Sequence, residues 1–168
     1  MTGLERNADV VRMASYAPLF ANSQAWQWTP DMIWVNSLQS FATPSYYAQM
    51  LFSRHRGSVV LPVSMVDAAP GFFVSAARDD AASEIILKAV NASSEPVEAV
   101  IDLEGVTNVA STAQSIILSS AKPSDQNSFD EPAKVSPKTK SLENVSPQFN
   151  YSFGPYSLTV LRVHAAAK

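Results

Sequence analysis

The rhythm of apolar and polar positions changes once along this chain, at Gly57. Before it, two stretches of helical spacing flank a nearly continuous apolar run. Thr2-Gly-Leu-Glu5 has the form of a capping box, a hydroxyl at the helix start and a carboxylate three residues on, and predicts a short helix over about residues 3–9. Residues 10–17 are apolar at most positions and β-branched at the start, which predicts a strand buried on both faces, as in a parallel sheet. Pro18 ends it, because proline cannot donate to a ladder. Residues 19–42 form a long connection holding Trp26, Trp28 and Trp34. Thr43-Pro44 then supplies an N-cap hydroxyl with proline at the first helical position. The helix predicted over residues 44–56 carries Tyr47, Met50 and Leu51 on one face, and Gly57 is its expected stop.

After Gly57 the period shortens. Residues 59–63, 71–76, 84–90, 97–103, 115–118 and 156–163 read as strands between turns rich in Gly, Pro, Asn, Ser and Asp. Short strands at such spacing predict an antiparallel sandwich. Residues 119–148 have few strong apolar runs and read as a long surface excursion, and residues 164–168 as a frayed tail. The fold class expected is therefore mostly β. Residues 58–168 would form an antiparallel β-sandwich, preceded in residues 1–57 by a helix-strand-helix piece of a repeated α/β unit. On this reading Met1 opens onto the last part of a larger domain, and the chain is its C-terminal portion.

Composition narrows the possibilities. An apolar content of 46% suffices for a packed core, and a net charge of −3 with scattered basic residues argues against a nucleic-acid partner. The one tight basic group, Arg54-His55-Arg56, falls at a helix C-terminus, where it complements the dipole. There is no cysteine, which excludes disulfides, thiolate metal sites and cysteine nucleophiles. No apolar run reaches the ~18 residues of a membrane-spanning helix, and no signal-peptide pattern opens the chain.

Candidate chemistry is sparse. Asp79, Asp80 and Glu84 could gather around a hard cation, but acids before a strand more often form a solvated turn. His55 and His164 lack metal-ligand spacing, and no nucleophile-elbow motif supports a serine triad. Neither metal nor cofactor is expected. Asn91-Ala-Ser93, Asn144-Val-Ser146 and Asn150-Tyr-Ser152 match the glycosylation pattern, with Pro147 weakening the second. In a chain rich in Ser and Asn the pattern alone assigns nothing.

Several motifs together carry a resemblance. Gly3-Leu-Glu-Arg-Asn7, residues 13–20 (MASYAPLF), Trp28-Thr-Pro-Asp31 and Thr43-Pro-Ser-Tyr-Tyr47 resemble the end of the catalytic barrel in glycoside hydrolase family 51 α-L-arabinofuranosidases. The likeness continues in order through residues 87–91, 127–130, 135–138 and 155–160. It implies the last elements of a (β/α)₈ barrel in residues 1–57 and a jelly-roll-like sandwich in residues 58–168. Residues 1–9 would end the seventh helix, residues 10–17 would be the eighth strand and residues 44–56 the eighth helix.

Such enzymes release terminal arabinofuranose from arabinoxylan and arabinan with retention. They use two glutamates about 5 Å apart, one protonating the leaving oxygen and one attacking the anomeric carbon. In the family both lie before the eighth strand, so the resemblance implies no catalytic residue here and an isolated chain without activity. Glu5 would serve as a helix cap. Barrel sites form at the C-terminal ends of strands, which puts Ser15, Tyr16, Asn22, Gln24, Trp26 and Trp28 near the sugar. Pro18 stands where many bacterial members carry a substrate-binding glutamine, with Asn22 or Gln24 the candidates to replace it. The partners implied are the N-terminal barrel and, through the parent enzyme, an arabinose-containing polysaccharide. That parent is expected to be secreted or periplasmic. The rival reading is a stand-alone β-sandwich binding or structural module left by gene truncation.

Overall fold

The computed structural model describes residues 1–167. Its elements in chain order are α1 (Thr2–Arg6), β1 (Phe20–Asn22), β2 (Ile33–Val35), β3 (Ser40–Ala42), α2 (Pro44–Arg54), β4 (Val59–Leu61), β5 (Phe72–Asp79) and β6 (Glu84–Asn91). There follow β7 (Val97–Asp102), β8 (Val106–Thr107), β9 (Thr112–Ser119), β10 (Lys138–Glu143), β11 (Gln148–Phe153), β12 (Ser157–His164) and β13 (Ala166–Ala167).

A six-stranded antiparallel sheet in the order β10-β9-β12-β6-β5-β4 is the backbone of the molecule. Strand alternation gives it two dissimilar faces. One face sends Val74, Ala89, Ala113, Leu161 and Val163 against Ile101, Phe149 and Phe153 of the antiparallel pair β11-β7. This is the sandwich core, with Phe72 and Tyr151 tilted against the Phe153 ring. The other face sends Ile86, Ile116, Leu118, Leu158 and Val160 against Leu51 and Phe52 of α2. The order of layers is thus helix, six-stranded sheet, two-stranded sheet.

The antiparallel sandwich stands as the spacing predicts, and the mostly-β class with it. Residues 10–17 do not form the predicted strand. They run as turn and irregular chain, with Val10 71% and Met13 88% exposed. A parallel strand exists only through its neighbours' ladders, and the described residues give this segment none. The connection 19–42 instead builds a small sheet, β1-β2-β3, in which β1 and β2 are parallel.

Helix ends also differ from expectation. Thr43 Oγ1 accepts from the Tyr46 amide at 3.4 Å, the expected cap. At α1 the N-cap is Met1, Thr2 is buried inside the helix, and the capping box does not form. α2 ends at Arg54 with His55 as C-cap, so Gly57 is not its stop. Gly57 serves a close approach: a Cβ there would lie 2.6 Å from the Arg78 carbonyl oxygen.

The excursion 119–148 holds a strand, β10, on the edge of the large sheet. Its Lys-Thr-Lys-Ser-Leu-Glu sequence leaves only Leu142 partly covered, so no apolar alternation announces it. The excursion is pinned by buried Asn127, whose Nδ2 donates to the carbonyls of Ala42 (2.8 Å) and Val135 (3.0 Å) while its Oδ1 accepts from the Val135 amide (2.7 Å). Nor is the tail frayed up to residue 167, since β13 pairs with β8; Lys168 lies outside the described residues.

Candidate functional site

The six residues expected near a substrate all belong to the stretch from the end of the apolar segment to the small sheet, and the first of them, Ser15, is exposed. The Tyr16 hydroxyl donates to the Pro30 carbonyl at 3.2 Å, tying the segment before Pro18 to the turn before β2. Asn22 ends β1, and its Oδ1 accepts from the Gln24 amide at 2.9 Å, a side-chain turn that aims the chain out of the sheet. Gln24 is exposed. Trp26 is 51% exposed and meets the half-buried Trp34 edge-on, with ring centroids 5.6 Å apart. Trp28 is 68% exposed. The contacts are local ones, Tyr16 with Pro30, Asn22 with Gln24 and Trp26 with Trp34, and they leave two indole faces toward solvent.

A cavity of about 410 Å³ lies beside this loop, lined by Thr29, Pro30, Trp34 and Phe41 on one side and by residues of the 123–129 segment on the other. None of the six expected residues lines it. Phe129 reaches over the small sheet and packs edge-on with Phe41 at 4.9 Å. A second cavity of about 420 Å³ lies over the large sheet, lined by Glu84, Gln114, Lys140, Arg162 and His164 among others. It is polar and shares no residue with the aromatic loop.

Sequence reasoning passed over Asp31. It is 1% exposed, and its Oδ2 has no hydrogen-bond partner among the described residues. Its backbone carbonyl accepts from Thr43 Oγ1 at 3.0 Å, which joins it to the start of α2. Burying a carboxylate oxygen without a donor is costly. The signal lay within Trp28-Thr-Pro-Asp31, but only the fold reveals the burial.

Charged groups elsewhere serve the structure. Glu5, expected as a cap, accepts from Ser75 Oγ at 2.5 Å and pairs with the ammonium of Lys88. Burial holds the Lys88 pKa down, opposed by its bond to Glu5. Asp79 Oδ1 caps the amides of Ala81 and Ala82, and Asp80 pairs with Arg78 at 2.6 Å. These acids form a turn, and among the described residues no group of three or more His, Cys, Asp and Glu stands together for a metal. Among the same residues no helix is long and apolar enough to cross a membrane.

The α-L-arabinofuranosidase C-terminal domain family matches residues 1–157. The chain belongs to that family. Alpha-L-arabinofuranosidase 1 of Arabidopsis thaliana is 34% identical over 164 residues, which are 95% of this chain and 24% of that protein. Alpha-L-arabinofuranosidase A of Aspergillus niger is 33% identical over 164 residues, 96% of this chain and 25% of that protein. The chain therefore spans about a quarter of the length of these curated relatives.

Among solved structures, an arabinose-bound family 51 α-L-arabinofuranosidase superposes with a TM-score of 0.92 at 30% identity, over 98% of this chain and 26% of that one. The arabinose complex of the Thermotoga maritima enzyme gives 0.78 at 20% identity, over 96% of this chain and 36% of that one, a likeness of fold. This arabinofuranosidase C-terminal domain superposes on the first of these structures over nearly its whole length.

Proposed function

We propose that this chain works as the C-terminal part of a retaining α-L-arabinofuranosidase acting on terminal arabinofuranosyl residues of arabinoxylan or arabinan. The reaction would take place at two glutamates outside the 168 residues. Residues 1–57 would form the last part of the catalytic barrel and residues 58–168 the sandwich that caps it. The observation that carries this reading is the unfinished surface of residues 7–38. Val10, Met13, Leu19, Trp28 and Leu38 are all exposed there. So many large apolar side chains exposed along one segment fit a surface that another polypeptide covers.

In that complete enzyme, Tyr16, Asn22, Gln24, Trp26 and Trp28 are the contacts offered to the sugar. Their chemistry suits a furanose: indole faces stack on C–H bonds, and the Asn22 and Gln24 amides reach hydroxyls. The sandwich holds this loop through α2, which begins two residues after the small sheet and is buried against the large one.

The experiment is to assay release of nitrophenol from 4-nitrophenyl α-L-arabinofuranoside by the chain alone and by the chain joined to a family 51 barrel carrying both glutamates. The chain alone should show no turnover and the joined protein should be active. Turnover by the isolated chain would overturn the proposal. A chain that adds nothing to the barrel would favour the stand-alone module.

A further inference from the structure

Three segments of the chain share the sequence pattern of an N-linked glycan acceptor, and the fold treats them differently. Asn91 closes β6 and is 1% exposed. Its Nδ2 donates to the carbonyls of Glu95 (2.7 Å), Phe153 (3.1 Å) and Gly154 (3.1 Å). Its Oδ1 accepts from the amide and hydroxyl of Ser93 at 3.0 and 2.7 Å. The amide that would carry a sugar is therefore a buried clamp between β6 and the end of β11, and the Ser of the pattern is part of the same clamp.

Asn150 lies in the middle of β11 and points the other way. Phe149 and Phe153 enter the sandwich core, so the alternating residues Gln148, Asn150 and Ser152 stand on the outer face, where all are exposed. Opposite Asn150 is Val100, an apolar side chain left 63% exposed. The Ser152 hydroxyl stands on the same face and donates to Glu98 Oε1 at 2.5 Å. This face lies on the far side of the sandwich from α2 and from Glu5 of α1, with the six-stranded sheet between. Within this chain that face carries no covering element: Gln148, Asn150 and Ser152 are all exposed. Asn144 is exposed in a turn, but Pro147 directly follows its pattern.

We propose that Asn150 is the N-linked glycan acceptor of this chain in a eukaryotic secretory pathway, and that Asn91 is excluded by the fold. The donor is a lipid-linked oligosaccharide diphosphate. The Asn150 side-chain nitrogen forms a bond to the sugar C1, the bond from C1 to the diphosphate oxygen breaks, the amide loses a proton and the lipid diphosphate leaves. Transfer takes place as the chain is made, so the fold decides which modified chains become native. A sugar at Asn150 projects into solvent and covers Val100. A sugar at Asn91 would have to enter a site where the same amide makes three hydrogen bonds. This inference does not depend on the proposed enzymatic role.

The test is secretion of the full chain from yeast behind a cleavable leader, followed by amidase release of N-glycans and peptide mass analysis of the cooperatively melting pool. Conversion of Asn150 to aspartate is expected, with Asn91 unchanged. Ser152→Ala, which leaves Asn150 in place but removes the hydroxyl the transferase requires, should abolish the modification. An unmodified Asn150, or a sugar on Asn91 in the native pool, would overturn the proposal. Bacterially made protein supplies a second measurement that needs no secretion. Asn150→Asp should leave the melting midpoint where it is and Asn91→Asp should lower it sharply; the reverse order would overturn the exclusion.

Discussion

Lys88 and Glu5, 83 positions apart, form an ion pair in which the lysine side chain has no exposed surface. Lys88 stands on the helix-facing side of β6, opposite Ser75 of β5 and Val160 of β12. Glu5 reaches it from α1, and the Phe52 ring of α2 lies 5.3 Å from its Nζ. One buried cation thus meets both helices and the sheet. Removing one partner of a buried pair leaves an uncompensated charge and costs about 3–5 kcal/mol. Glu5→Ala should cost that much in urea unfolding. Glu5→Gln with Lys88→Met, which removes both charges, should recover most of it. Equal loss in both proteins would show that the pair does not hold α1 to the sheet.

The helix layer should be energetically part of the sandwich. Leu51 is 1% exposed and packs in the cluster with Ile86, Ile116 and Val160. Leu51→Ala should therefore destabilise by about 2–5 kcal/mol, the range for buried Leu truncations. Urea titration followed by circular dichroism should show a single transition displaced as a whole. A separate early transition for the helix alone would contradict this packing.

Asn127 ties the polar excursion to the end of β3 with one hydrogen bond, to the Ala42 carbonyl, and closes the excursion on itself with two more to Val135. Asn127→Ala strands the Val135 amide and two carbonyls, at about 1–3 kcal/mol for a buried group left unsatisfied. Hydrogen exchange of residues 120–137 should accelerate while the amides of β6 and β12 stay protected.

The contact between α2 and the sheet should be sensitive to acid. Arg162 Nη1 donates to His55 Nδ1 at 3.0 Å, and Arg162 also pairs with Glu84. Burial first, then the charges of Arg162 and Lys88, hold the His55 pKa below its ordinary value of 6.5, with Glu84 opposing and Arg54 adding to the depression. The folded state therefore binds the His55 proton less readily than the unfolded state. Its contribution is fully present above the unfolded pKa and is lost as pH falls through the folded pKa. Melting midpoints from pH 7 downward should drop more for the native chain than for His55→Gln, whose amide oxygen can still accept from Arg162. Parallel curves would assign the acid sensitivity to other groups.

Trp28, one of the residues proposed to meet the sugar, is 68% exposed. Trp28→Ala should leave the melting midpoint unchanged. In the complete enzyme it should reduce kcat/KM about tenfold, the loss of roughly 1.4 kcal/mol that one aromatic contact can supply. An unchanged kcat/KM would remove Trp28 from the substrate contacts.

What the sequence by itself determined is what local pattern encodes. The strands of the sandwich that read as apolar runs between turns, such as β6 and β12, the cap of α2 at Thr43 and the family through its ordered motifs all follow from residues near one another. Strand β10 escaped because an edge strand needs polar residues and so hides its period. The segment 10–17 misled because its apolar run encodes burial but not the neighbours that supply it. Only the tertiary structure decided which side of the sheet α2 covers, that Glu5 serves Lys88 and not its own helix, and that Asn91 is a clamp while Asn150 is open. Each of these depends on partners dozens of positions away, and hydrogen bonds and burial at that range are properties of the packed chain.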